Sequence, residues 1–303
     1  MRSGLLGIEH LERAEIEAIL DRAKAFQPAP NARFQRQDTL RGQMVVNLFF
    51  EASTRTRTSF EIAAKRLGAD AISITASGSS VSKGESLVDT LNTLAAMRPD
   101  AIVMRHAASG APHFLARYLD TPIINAGDGT HEHPTQALLD ARTILDRRPT
   151  LEGLRVAIIG DIQHSRVARS DMYLLSKFGA DIVLCGPASL LPPELDKLAP
   201  HVSLTNNLRE AIHGADVIMM LRVQLERQHE ATFAAGEYFQ FYGLRLEHME
   251  LAKPDVIVMH PGPINRGREI SSEVADSQRS VILNQVENGI AVRMAVLERI
   301  LRN

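Results

Sequence analysis

Apolar residues recur with two different periods along this chain of 303 residues. Near the start, Leu11, Ile16, Ile19, Leu20 and Ala23 mark one face of a helix. Short, continuous apolar runs of strand length follow: MVVNLFF (44–50), DAISIT (70–75), AIVM (101–104) and PIIN (122–125), with helical patterns between them. From residue 151 the alternation restarts with LRVAIIG (154–160), DIVLC (181–185), HVSL (201–204), DVIMML (216–221) and DVIVMH (255–260). Runs that are apolar on both faces and alternate with helices predict parallel sheets covered on both sides. The expected fold class is therefore α/β, with two doubly wound domains, each a parallel sheet flanked by helices.

Two further helical patterns suggest how the domains connect. HEHPTQALLDARTILDRR (131–148) carries Ala137, Leu138, Ala141, Ile144 and Leu145 on one stripe, and Pro134 suits the first helical position. NGIAVRMAVLERILRN (288–303) is amphipathic and long enough to pack back on the first domain. Both are expected as bridging helices, with one domain at 1–133 plus about 286–303 and the other at 134–285.

The halves also echo each other. MVVNLFFEASTRTRTSFEIAAKRLGADAISI and RVAIIGDIQHSRVARSDMYLLSKFGADIVLC align without gaps at an offset of 111 residues. Each reads as strand, polar turn, helix, Gly-Ala-Asp and strand, with Gly68 and Gly179 where a helix-terminating glycine belongs. Shared βαβ grammar is enough to produce such a match. It sets Arg55 opposite Arg166, each at the turn after a first strand, and open α/β sheets bind ligands beyond the C-terminal strand ends.

Composition narrows the classes. The hydrophobic fraction of 45% and charged fraction of 23% suit a globular core, and a formal net charge of −2 gives no reason to expect nucleic acid or an anionic membrane as partner. The single cysteine, Cys185, lies in an apolar run and reads as a small core residue in a reducing compartment. The N-terminus turns charged too early for a signal peptide, and no apolar run approaches a membrane span, so a cytoplasmic chain is expected.

In so neutral a chain the cluster FFEASTRTRTSFEIA (49–63) stands out. It follows a strand and opens a helix, where unpaired N–H groups and the dipole favour an anion. Ser53, Thr54, Arg55 and Thr56 add hydroxyl and guanidinium donors. The competing reading is helix capping: Thr58 and Glu61 have capping-box spacing, which accounts for Thr58 but not for the cluster before it. Arg57 is expected to point toward structure.

Other strand ends carry comparable groups. Arg105 in MRH (104–106) reads as a site residue or as a surface ion pair. His133 and Gln136 in HEHPTQ suit hydrogen bonding at a helix start. No cysteine or clustered carboxylate follows His131 and His133 at ligand spacing, so no metal is expected and His131 reads as bystander polarity. Arg222 and Gln224, two apart in LRVQLERQ, share a face of extended chain and suit a carboxylate; a solvated loop reads equally well. HPGPINRG (260–267) forms a tight loop with carbonyls to offer, or a plain turn. SSVSKGES (79–86) reads as a surface loop. With no dinucleotide fingerprint and no nucleophile–base pair, the set suits two anions and the polarisation of a bond between them.

In this order STRTR (53–57), SKGES (82–86), MRH, HPTQ (133–136), GDIxHSR (160–166), RVQxER (222–227) and HPGPxNRG resemble the aspartate/ornithine transcarbamoylase family across nearly the whole chain. RVQxER and HPGPxNRG resemble the aspartate branch, because ornithine enzymes carry a cysteine-containing HCLP motif at the last loop. The resemblance implies transfer of a carbamoyl group from carbamoyl phosphate to L-aspartate, with no cofactor. It implies that Ser53, Thr54, Arg55, Thr56 and Arg105 hold phosphate, and that Thr56, Arg105 and His133 surround the carbamoyl oxygen. Gln136 and the carbonyls of the Pro261–Gly262–Pro263 loop would take the carbamoyl NH2. Arg166, Arg222 and Gln224 would clamp the aspartate carboxylates. It further implies a homotrimer with shared sites, Ser79 and Lys83 coming from a neighbour, and in some members a regulatory chain or dihydroorotase as partner. Ser82, where some members have a second lysine, and Gly262, where others have a bulkier residue, depart from the pattern.

Overall fold

A computed structural model describes residues 4–29, 32–75, 86–223 and 235–302. It divides into two compact units, Met1–Arg142 with Glu287–Asn303, and Thr143–Val286.

The first unit holds a four-stranded parallel sheet. Its strands are β1 (Met44–Phe49), β2 (Asp70–Thr75), β3 (Ala101–His106) and β4 (Ile123–Asp128), in the order β2-β1-β3-β4. Around them run α1 (Arg13–Phe26), α2 (Thr54–Arg66), α3 (Leu87–Ala96), the short α4 (Ala111–Leu115) and most of α5 (Pro134–Leu145), whose last residues, from Thr143, belong to the second unit. Val45, Leu48, Ile102, Val103, Met104 and Ile124 are almost fully buried, so the central strands are covered on both faces. This explains why they read as unbroken apolar runs. The last helix of the chain, α10 (Ile282–Arg302), contributes Arg22–Glu298 and Arg293–Ser59 hydrogen bonds to this unit.

The second unit holds a five-stranded parallel sheet, in the order β7-β6-β5-β8-β9. The strands are β5 (Arg155–Ile159), β6 (Asp181–Cys185), β7 (Val202–Thr205), β8 (Val217–Met220) and β9 (Ile257–Met259). Its helices include α6 (Arg166–Lys177), α7 (Leu208–Ile212), α8 (Ala235–Tyr242) and α9 (Ser272–Ala275). Ala157, Ile159, Val183, Cys185, Ile218, Met220 and Val258 share one core cluster.

The two sheets follow one grammar. The first strand of each lies inside its sheet, the second pairs on one side, and a later strand pairs on the other. The chain thus reverses its winding between β1 and β3, and again between β5 and β8, and such a switch point opens a crevice at the carboxyl ends of the strands. The segments aligned in the sequence correspond to β1–α2–β2 and β5–α6–β6. Gly68 and Gly179 follow the helices with φ of 84° and 74°. Ala69 N donates to the Ala64 carbonyl at 3.0 Å and Ala180 N to the Leu175 carbonyl at 3.2 Å, closing both helices in the same way. Among the described residues no helix is long and apolar enough to cross a membrane.

Candidate functional site

The switch point of the first unit gathers the phosphate candidates. After β1 the chain passes Glu51 and turns at Ser53, and α2 begins at Thr54. Ser53 is extended (φ −159°, ψ 92°) and makes no side-chain cap bond. The first intrahelical N–H bond here is Arg57 N to the Ser53 carbonyl, 3.1 Å. The N–H groups of residues 54–56 therefore have no acceptor within the helix, the arrangement that suits an anion. Arg55 is exposed at the mouth of this turn and Thr56 is buried beneath it. Thr58, expected as a possible N-cap, is instead the fifth residue of α2. Its supposed capping partner Glu61 accepts from the Ser73 hydroxyl on β2. The capping-box spacing was a coincidence of sequence, because the cap position had already passed.

Arg105 lies in β3, opposite Phe49 of β1 and within an irregularity of the β3–β4 register. It is not a surface residue: only 9% is exposed. Its Nη2 donates to Glu51 Oε1 at 2.6 Å and its Nη1 to the Ala126 carbonyl at 3.3 Å. These bonds fix the guanidinium at the strand ends. Glu51 carried no motif signal beyond its place between the strand and STRTR.

His133 is buried just before α5, and its carbonyl accepts from Gln136 N (2.9 Å) and Ala137 N (3.3 Å). One turn on, Gln136 Nε2 donates to both carboxylate oxygens of Asp140, at 3.0 and 3.2 Å. That bifurcated bond orients the amide, so the Gln136 carbonyl oxygen is the atom presented as an acceptor. Asp140 belongs to none of the sequence motifs, although its i, i+4 relation to Gln136 is a readable helix pairing. His131 is no bystander: its Nδ1 lies 3.0 Å from Asp128 Oδ2. This carboxylate precedes His131 rather than following it.

The second unit supplies a contrasting helix start. Ser165 caps α6, its hydroxyl accepting from Ala168 N at 3.1 Å, so this terminus is partly satisfied by the protein itself. Arg166 opens the helix, 6% exposed. Asp161 shapes the turn by accepting from His164 N (3.2 Å), with His164 Nδ1 2.8 Å away. Gly160 has a φ of 143°, and a Cβ there would meet the Leu221 side chain at 2.8 Å. Glycine thus lets the ends of β5 and β8 approach, just where Arg222 leaves β8 half-buried.

His260 follows β9 and is fully committed. Its backbone N donates to Gln285 Oε1 (2.9 Å), its Nδ1 accepts from Gly262 N (2.8 Å), and its Nε2 lies 3.1 Å from the buried Glu269 carboxylate. The Gly262 bond requires a lone pair on Nδ1, so the ring proton sits on Nε2 and is donated to Glu269. The Gly262 N–H is consumed and Pro261 has none, so residues 261 and 262 have carbonyl oxygens to offer a ligand. Gly262 itself takes a φ of 68°, and Pro263 is exposed. Ser79, Lys83 and Gln224 lie outside the described residues.

Comparison with known proteins gives a consistent result. The profile "Aspartate/ornithine carbamoyltransferase, carbamoyl-P binding domain" matches residues 4–146. The profile "Aspartate/ornithine carbamoyltransferase, Asp/Orn binding domain" matches residues 152–300. The aspartate carbamoyltransferase catalytic subunit of Solibacter usitatus is 81% identical over 99% of this chain and 100% of its own length. That of Syntrophotalea carbinolica is 58% identical over 97% and 93%. Among solved structures, ornithine carbamoyltransferase from Pyrococcus furiosus superposes with a TM-score of 0.88 at 31% identity, covering 98% of this chain and 96% of that one. Aspartate transcarbamoylase from Trypanosoma cruzi in complex with N-(phosphonacetyl)-L-aspartic acid gives 0.88 at 33% identity, covering 98% and 95%. The chain belongs to the aspartate/ornithine carbamoyltransferase family.

Proposed function

We infer that the chain is a transferase that moves the carbamoyl group of carbamoyl phosphate to the amine of L-aspartate, giving N-carbamoyl-L-aspartate and phosphate for pyrimidine synthesis. The observation that carries this reading is the end-to-end likeness to an aspartate carbamoyltransferase catalytic subunit at 81% identity. The absence of a cysteine from His260-Pro261-Gly262-Pro263 supports aspartate over ornithine.

The proposed roles follow from the local chemistry. The uncapped first turn of α2, with Ser53, Thr54, Arg55 and Thr56, receives phosphate together with Arg105. Attack by a neutral amine places negative charge on the carbamoyl oxygen, and Thr56, Arg105 and His133 are the donors assigned to it. Fixed donors aimed at developing charge lower the barrier most when they need not reorganise, and Arg105 is held by Glu51 before substrate arrives. The Gln136 carbonyl and the carbonyls of Pro261 and Gly262 accept from the carbamoyl NH2. Arg166, Arg222 and Gln224 bind the two aspartate carboxylates. Orientation of two bound substrates contributes much of the remaining rate, and no covalent enzyme intermediate is required. The departing phosphate takes the amine proton.

In the same reading the enzyme works in the cytoplasm as a homotrimer, with Ser79 and Lys83 reaching a neighbour's site. Division of labour between the sheets is tested by Arg55→Ala and Arg222→Ala in steady-state assays. The first should raise KM chiefly for carbamoyl phosphate and the second chiefly for aspartate. Equal effects on both substrates would contradict the assignment.

A further inference from the structure

One cluster in the first unit takes no part in the transfer chemistry. His113 on α4, Asp128 at the end of β4 and His131 each offer a ligand atom, and the three atoms lie within 4.8 Å of one another. The rings of His113 and His131 approach edge to face at 5.2 Å between centroids. A second group, Glu9, His131 and Glu132, shares His131, and its three atoms also lie within 4.8 Å of one another.

A purely structural account covers only part of this. Asp128 organises the loop: it accepts from Gly110 N (2.6 Å), Asn125 Nδ2 (2.8 Å) and Glu132 N (3.1 Å), with His131 Nδ1 3.0 Å from it. His113 Nδ1 is left over. It is buried and has no hydrogen-bond partner among the described residues. Leaving a buried polar nitrogen unpaired is unfavourable, and the His113 ring that carries it lies beside a second imidazole and a carboxylate, an arrangement that suits a ligand.

We propose that His113, Asp128 and His131 form a binding site for a divalent transition-metal ion, of which Zn2+ is the type, with the fourth position open to water. Two imidazoles and a carboxylate oxygen are donors of a four-coordinate Zn2+ site, whose ligand atoms stand about 3.3 Å apart, so a small inward movement closes the group. Imidazole nitrogen favours Zn2+, Ni2+ or Cu2+ over Mg2+ or Ca2+. On binding, the ion takes the place of the proton between His131 Nδ1 and Asp128 Oδ2, and that proton leaves to solvent. The pattern was hidden in the sequence because His113 comes from α4, 18 residues before the turn that carries His131, and Asp128 lies upstream of His131.

The test is calorimetric titration of Zn2+ into the full-length, tag-free, chelator-treated protein, a readout independent of carbamoyl transfer. One saturable site per chain is expected, and His113→Gln and His131→Asn should each weaken it by about tenfold or more, the scale set by loss of a group that supports a metal. His10→Ala should leave it unchanged, and Mg2+ should not compete. Co2+ should give the intense visible absorption of four-coordinate geometry in the wild-type protein, which decides the question even if a variant misfolds. No saturable Zn2+ site, no such Co2+ spectrum, or unchanged affinity in both folded histidine variants would overturn the proposal.

Discussion

Arg105 Nη2 donates to Glu51 Oε1 at 2.6 Å, joining the end of β3 to the turn that follows β1. This pair holds a guanidinium at the switch point of the first sheet in a fixed direction. A charged hydrogen bond of this kind contributes about 1.5–3 kcal/mol. Glu51→Ala should therefore lower kcat/KM for carbamoyl phosphate by roughly 10- to 100-fold, as the freed guanidinium loses its orientation. The KM for aspartate should move less. The check is a two-substrate steady-state analysis on protein with an unchanged circular dichroism spectrum.

The two serines that precede α2 and α6 should behave differently. Ser165 accepts from Ala168 N, whereas Ser53 makes no cap bond. Ser165→Ala should cost about 1 kcal/mol of stability, the usual value of a cap. Ser53→Ala should cost clearly less while weakening inorganic phosphate binding. Thr58→Ala, at an exposed site inside α2, should stay within about 0.5 kcal/mol of wild type, since alanine is a better helix former than threonine. Urea denaturation of the three variants, with a phosphate titration, separates these outcomes.

Cys185 should be chemically silent in the native protein. It is the sole cysteine, fully buried on β6, and burial pushes its thiol up to about 12. At neutral pH almost no thiolate forms, and the thiolate is the reactive species. A thiol-exchange reagent should label less than a tenth as fast as in denatured protein, and unfolding should release one reactive thiol per chain.

The Arg22–Glu298 pair predicts part of the acid limb of stability. Arg22 donates to both Glu298 oxygens, at 2.5 and 2.9 Å, and this hydrogen bond is the main cause of the lowered Glu298 carboxyl. A depressed folded-state value means that the pair stabilises the protein above the ordinary glutamate range. That contribution fades as pH falls from about 4.3 through the lower folded value. Arg22 is partly solvated, so the effect at neutral pH should be only about 1 kcal/mol. Glu298→Gln should reduce stability at pH 7 and flatten the loss below that range. An unchanged acid limb in thermal scans would contradict this.

Much of this architecture was legible because the central strands of both sheets are buried on two faces and the edge strand β2 still carries β-formers between turn signals. DAISIT and DIVLC match β2 and β6 residue for residue, and the GAD triplets mark two helix ends closed by the same bonds. The start of α2 was legible as chemistry, since the STRTR donors coincide with its uncapped first turn. What stayed hidden was three-dimensional. Glu51 meets Arg105 across 54 positions, and no spacing rule links them. His260 looked like part of a turn, yet its ring accepts from Gly262 and faces Glu269, which decides that the loop offers carbonyls. His131 looked idle because its carboxylate lies upstream and its neighbouring imidazole comes from α4. Thr58 misled because a capping motif is also an ordinary helix sequence.

The central claim is the identity of the amine acceptor. The most direct measurement is kcat/KM for carbamoyl transfer to L-aspartate and to L-ornithine, with carbamoyl phosphate saturating and the carbamoylated product identified. If Arg166 and Arg222 bind the two carboxylates as proposed, aspartate should be preferred by about 10³-fold or more, because ornithine leaves one carboxylate-binding group unmatched and brings a second cation. Formation of N-carbamoyl-L-aspartate with that preference is the predicted result. Comparable rates for both acceptors, or faster turnover with ornithine, would contradict it.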